Sequence, residues 1–208
     1  LSEAELARAA QLPPAEIAPA RAALSDEGAL LRLDLDGESQ YLPAESERQA
    51  WSRAQAILGD YHQKYPLRRG LPQAELRSRL FAAYKQKSLQ ALLAFWQEQG
   101  LLAIDGALLA LPGFKPRPEA ADAERIRRIE AAYAAAPFAP PEWPALQREL
   151  GLSAAQAGEY LLWLTESNAL VRAGELYFAA AALAEAEGRL RALDGPAGFT
   201  LAQARDAL

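Results

Sequence analysis

Between residues 61 and 87 the chain carries seven cations, Lys64, Arg68, Arg69, Arg77, Arg79, Lys85 and Lys87, against a single carboxylate, Glu75. Side chains of this kind neutralise phosphates and release condensed counterions, which gives affinity for nucleic acid without regard to base sequence. Tyr61, Tyr65, Phe81 and Tyr84 are interleaved with them; aromatic rings stack on unpaired bases, and the alternative is a set of core aromatics beside a solvated helix face, with Phe81 turned inward beside Leu80. The remainder is acidic: residues 1–60 hold five basic and eleven acidic groups, and residues 88–208 hold ten and fifteen. The overall net charge of −5 thus hides a local basic excess. The seven cations are the candidate RNA- or ribosome-binding residues, with Arg68, Arg69, Lys85 and Lys87 foremost. Arg77 has a structural ion-pair role as its alternative, and Arg79, two residues on, points about 200° away around a helix.

Other chemistries have little to stand on. The 208 residues include no Cys and one His, so thiol nucleophiles, thiolate metal sites and multi-His metal clusters are excluded. His62, beside Tyr61 at a helix end, reads as a capping or packing residue. Asp34, Asp36 and Glu38 read as a solvated hairpin tip with no pocket near them. Arg125, Arg127 and Arg128 alternate with Glu124 and Glu130, and the spacing of Glu124 and Arg128 suits an intrahelical ion pair. No nucleophile–base pair, metal set or Gly-x-x-x-x-Gly-Lys-Ser/Thr phosphate loop is present, so no catalysis and no cofactor are expected of these residues. With 51% hydrophobic and 24% charged residues the composition is that of an ordinary globular chain. No apolar run approaches the roughly 18 residues of a membrane span, and no membrane partner is expected. The opening Leu1-Ser2-Glu3, in a chain without Met, reads as the interior of a longer polypeptide.

The elements that hold the cations repeat. Asp26–Leu33, Glu98–Asp105 and Glu166–Arg172 align with one another, with Gly28, Gly100 and Asn168 in register at spacings of 72 and 68 residues. Each stretch pairs a helix that stops at Gly or Asn, the residues tolerant of a left-handed terminus, with a strand, a glycine turn (Gly37, Gly106, Gly174) and a second strand. Ser2/Glu5, Ser153/Gln156 and Thr200/Gln203 fit capping boxes, and Leu1 with Leu6 fits a hydrophobic staple. The periodicity predicts helices over 45–64, 72–84 and 86–99 with a hairpin over 101–112, then helices over 122–136, 142–150 and 154–167 with a hairpin over 170–179. A front unit has helices over 2–9 and 14–27 and a hairpin over 30–42; a last unit starts with a helix over 181–193. Trp51, Trp96, Trp143 and Trp163 fall on apolar faces and are read as core, and Pro137, Pro140, Pro141 and Pro144 as a stiff connection. The fold class is mainly α with short β-hairpin wings, in tandem winged-helix domains. The domains are 1–44 (lacking its first helix), 45–118 and 119–180 (complete), and 181–208 (the start of a further one).

The run Tyr61-His62-Gln63-Lys64-Tyr65-Pro66-Leu67-Arg68-Arg69-Gly70-Leu71-Pro72-Gln73-Ala74-Glu75-Leu76-Arg77 resembles the Tyr-His, Pro-Leu-Arg, Gly, Glu-Leu-Arg pattern of bacterial selenocysteine-specific elongation factors, the SelB family. Asn168-Ala169-Leu170-Val171-Arg172, Tyr177-Phe178 and Phe199–Asp206 follow in the same order as in that family. The resemblance implies four tandem winged helices forming an arm between a GTPase and tRNA-carrying body and a last module that binds an mRNA hairpin at recoded UGA codons. It implies the ribosome, the mRNA hairpin and selenocysteyl-tRNA as partners, a monomer in the cytoplasm, and GTP with Mg bound outside this stretch. The alternative from the residues alone is a tandem winged-helix DNA-binding regulator or a protein-interaction scaffold. Against duplex DNA, residues 154–167 contain no cation where a third helix would meet base edges.

Overall fold

Helical periodicity and glycine punctuation become nine helices and seven strands among the described residues of the computed structural model, which are Glu5, Arg8, Gln11, 13–35, 37–193 and 198–208. The order is α1 (Pro14–Asp26), β1 (Leu30–Leu35), β2 (Glu38–Pro43), α2 (Ala44–Lys64), β3 (Leu71–Pro72), α3 (Gln73–Leu80), α4 (Gln86–Glu98), β4 (Ala103–Asp105) and β5 (Leu108–Ala110). It continues with α5 (Ala120–Ala135), α6 (Trp143–Glu149), α7 (Ala154–Glu166), β6 (Leu170–Ala173), β7 (Leu176–Ala179), α8 (Ala180–Leu193) and α9 (Leu201–Ala207). Three helices and a wing recur, as in a winged helix. The chain divides into two units, residues 1–65 with 69–115, and residues 66–68 with 116–208.

The hairpins follow from how the helices before them end. Gly28, Gly100 and Asn168 all adopt positive φ, at 68°, 66° and 57°. After each, the next amide reaches back five residues: Ala29 N–H donates to the Leu24 carbonyl, Leu101 to Trp96 and Ala169 to Leu164, at 2.9 Å each time. That closure satisfies carbonyls the helix leaves open and turns the chain into a strand. The strands pair antiparallel, Leu30 opposite Pro43, Ile104 opposite Leu109 and Val171 opposite Phe178. The capping boxes at Ser153/Gln156 and Thr200/Gln203 are formed. The one at Ser2/Glu5, the Leu1/Leu6 staple and most of the helix expected over 2–9 lie outside the described residues.

Two departures from the sequence pattern concern the second module. Leu71 and Pro72 form a short third strand paired to Leu109 and Leu108, so the helix expected over 72–84 starts only at Gln73. Proline has no N–H to donate, and here it sits on a sheet edge. The same helix stops at Leu80, because Phe81 turns into the core, where it is 1% exposed and meets Tyr84 and Trp96. Gly70 permits the strand: a Cβ there would lie 2.6 Å from the Leu109 carbonyl oxygen.

Each unit has its own interior. In the first, Ala54, Leu58, Tyr61, Leu71, Leu76, Leu92, Trp96 and Leu109 are joined by Leu33 of the first hairpin. Trp96 is fully buried; its indole N–H donates to the buried Glu47 carboxylate at 2.6 Å, and Trp51 packs edge-on at 5.1 Å. In the second, Ile126, Ile129, Tyr133, Leu146, Tyr160, Leu164 and Leu170 close around Leu67. Trp143 and Trp163 pack at its margin. Gly70→Ala is expected to lower the stability of the first unit by about 1–3 kcal/mol, because the backbone of β5 must move to admit one methyl; chemical denaturation followed by Trp fluorescence checks this.

His62 is a core residue. Its ring lies flat on Phe114 at 3.6 Å, and Nε2 accepts from the Leu111 amide at 3.1 Å. The proton therefore sits on Nδ1, which is buried without a partner among the described residues. Burial holds its pKa below the ordinary value of about 6.5. As pH falls through that value the unfolded chain takes up a proton that the folded chain refuses, so stability is lost on the acid side and retained above it. The melting temperature is expected to fall between about pH 7.5 and pH 5.5, and His62→Asn to flatten that slope, in thermal scans across the range.

Candidate nucleic-acid interface

The seven cations sit on the turn after α2, along α3 and at the start of α4. Lys64 ends α2, exposed, with its ammonium 5.3 Å above the Tyr65 ring. Arg68 belongs to the second unit. Its guanidinium Nε donates to both oxygens of Glu159 on α7 at 3.1 and 3.0 Å, with both side chains about a third exposed or less. Next to it, Leu67 is 4% exposed in that unit's core, and the Pro66 carbonyl accepts from the Arg117 amide. This loop is a folded anchor and not a free basic tip.

The others lie in the first unit. Arg69 pairs with Asp105 at the end of β4. Arg79 pairs with Glu75 one turn back on α3. Lys85, the residue that caps α4, pairs with Glu5. Arg77 is exposed on α3 and has no carboxylate partner among the described residues. Lys87 is exposed in the first turn of α4. The island is thus largely neutralised from within: among the described residues four of the seven cations pair with carboxylates, three of them drawn from elsewhere in the fold and one, Glu75, from the same helix. Exposed pairs of this kind are worth about 0–1 kcal/mol, so those of Arg69, Arg79 and Lys85 open at little cost. The forked, half-buried Arg68 pair is harder to open.

The interleaved aromatics follow the core alternative, Phe81 inward as expected. Tyr61 and Phe81 are 4% and 1% exposed, so neither presents a face to a base; both are held by the apolar interior around Trp96. Tyr65 and Tyr84 are half-buried and pack against Tyr61 and Phe81. Along α5, Glu124 takes Arg127 three residues on instead of Arg128 four residues on. At the first wing, Asp34 accepts from the Ser39 hydroxyl at 2.7 Å and from Arg32 at 2.9 Å; these bonds hold its carboxyl below the usual range. Asp36 lies outside the described residues. Among the described residues no group of acidic and His side chains could hold a metal ion, and no helix is long and apolar enough to cross a membrane. The anchoring partners Glu159, Asp105 and Glu5 carry no signal in the sequence, since they lie 91, 36 and 80 positions from the cations they hold.

Comparison with known proteins places the module. A family model described as "Elongation factor SelB, winged helix" matches residues 55–111, the stretch from α2 through β5. The chain is 32% identical over 136 residues to a selenocysteine-specific elongation factor of Desulfomicrobium baculatum, an alignment that covers 64% of this chain and 21% of that protein. The chain spans about a fifth of the length of that relative. The crystal structure of a bacterial selenocysteine-specific elongation factor, EF-Sec, superposes with a TM-score of 0.47 at 15% identity, covering 85% of this chain and 27% of that one. The three helices, glycine-stopped turn and small wing around Trp96 are thus the stretch that matches the SelB winged-helix model, and a longer part of the chain is similar to a selenocysteine-specific elongation factor.

Proposed function

We propose that the chain acts in translation, as the tandem winged-helix arm of a selenocysteine-specific elongation factor. In that role it joins a GTPase and tRNA-carrying body to the module that binds the mRNA hairpin at a recoded UGA codon. The observation that carries this reading is the 136-residue similarity to a protein of that name, which extends beyond the single module matched by the family model. Selenocysteyl-tRNA, GTP and Mg are then handled by other parts of the whole protein, in the cytoplasm, and the ribosome and the mRNA are the partners of the arm. The modules supply reach, and their cations supply attraction to RNA backbone. Within the arm we assign that attraction first to Lys64 and Arg77, exposed and without carboxylate partners among the described residues. Arg69, Arg79, Lys85 and Lys87 add to it as their present partners yield. Arg68 serves the fold of the second unit. A DNA-binding regulator is not favoured, since α7 carries no cation at all.

A salt series of binding to ribosomal small subunits and to the cognate mRNA hairpin tests the reading. Weak, steeply salt-dependent binding with little preference for the hairpin is expected. Lys64→Ala/Arg77→Ala is expected to weaken it several-fold and to reduce the slope of log affinity against log salt by about 1–2. Arg68→Ala is expected to lower the stability of the second unit and leave the slope unchanged. Affinity and slope untouched by the Lys64/Arg77 pair would overturn the assignment.

A further inference from the structure

The third helix of a helix-turn-helix module is the one that ordinarily enters a nucleic-acid groove. In this chain that helix is occupied in both complete modules. Around α4, Leu89, Leu92, Leu93 and Trp96 face the module's own core. Ser88, Ala91 and Phe95 form a second stripe, spaced three and four residues apart, on the shoulder beside it. Ala91 is 1% exposed although it stands outside the core-facing stripe. That shoulder is the seat of the first hairpin. Strand β1 lies against α4, Leu33 enters the same buried cluster as Ala91, and the Ser88 hydroxyl donates to the Gln40 side-chain oxygen at 3.1 Å, with Gln40 9% exposed. Gln86, Gln90 and Gln97 are exposed on the remaining face.

The second complete module repeats the arrangement with other chemistry. At the 68-residue spacing, Glu159 of α7 stands where Ala91 stands in α4. It is held by the Arg68 fork, with Leu67 packed into the core alongside. A small apolar residue takes a strand in one case, and a carboxylate takes a guanidinium in the other. The same shoulder is used both times.

We propose that in this chain the third helix of each complete module is an intramolecular rail on which another segment docks, and that neither α4 nor α7 enters a duplex groove. The dimensions agree. A major groove is about 12 Å wide and an α-helix with its side chains about 10–12 Å across. On α4 the β-ribbon seated on one shoulder adds a layer of about 10 Å, more than the groove admits; on α7 the shoulder carboxylate, Glu159, is already held by the Arg68 fork. Contact with nucleic acid then falls to exposed cations outside these shoulders and reads backbone, not base edges. The inference stands on the contacts of the helices and is independent of the translational role.

The chain has no cysteine, which makes a direct test simple. Gln40→Cys/Ser88→Cys is oxidised, or bridged with a short bismaleimide, and assayed by fluorescence anisotropy with labelled RNA and DNA duplexes of mixed sequence at low salt. The expected result is efficient cross-linking and duplex affinities that agree within about twofold between bridged and reduced protein. Absence of cross-linking by both reagents in a variant that melts like the parent would overturn the proposal, and so would duplex binding tenfold weaker in the bridged form. If the double variant does not fold, titration of the parent protein with either duplex, followed by amide chemical shifts, decides instead. Unmoved Ser88–Gln97 and Gln156–Thr165 resonances support the rail; shifts concentrated there contradict it.

Discussion

One backbone closure governs this architecture. At the end of the third helix a residue in left-handed conformation lets the following amide bond back to a carbonyl five positions earlier, at Leu24, Trp96 and Leu164. A left-handed residue costs an ordinary side chain roughly 1–2 kcal/mol, which is why Gly, Gly and Asn hold these places. The closure reverses the chain, and the reversal sets the phase of the strand that follows. With that phase Leu30, Leu102 and Leu170 point inward, at 7%, 3% and 2% exposure. Wing, core and module boundary all descend from the same few hydrogen bonds.

The wings in turn decide what the helices are available for. The first hairpin places Leu33 against α4, the second pairs with Leu71 through the gap that Gly70 leaves open, and Arg68, Arg69 and Lys85 are met by carboxylates distant in the chain. A basic stretch in sequence becomes a set of internal ion pairs with a smaller exposed remainder around Lys64 and Arg77. The role proposed above asks for the same two things, order within each unit and a low net attraction for RNA backbone.

What could be read from the residues alone was whatever is local. Helix faces, the Gly28, Gly100 and Asn168 stops, the Ser153 and Thr200 caps and the three hairpin turns all follow from interactions within a few positions, and each lies within about two residues of its expected place. What could not be read is what two distant segments do to each other. The two-residue strand at Leu71–Pro72 has no periodicity, and its partner is 38 positions away at Leu109. The burial of Tyr61 and the carboxylates that hold Arg68, Arg69 and Lys85 depend on the finished interior. Charge along the chain lists the seven cations; which of them pair with carboxylates depends on residues distant in sequence.

Three equivalent chain reversals carry this architecture, and solution NMR observes them one by one. Amide exchange and backbone coupling constants are to be measured at residues 28–29, 100–101 and 168–169. The predicted result is positive φ at Gly28, Gly100 and Asn168, with the amides of Ala29, Leu101 and Ala169 protected although they lie beyond the helices. Unprotected amides with extended or right-handed backbone at these three places would contradict it.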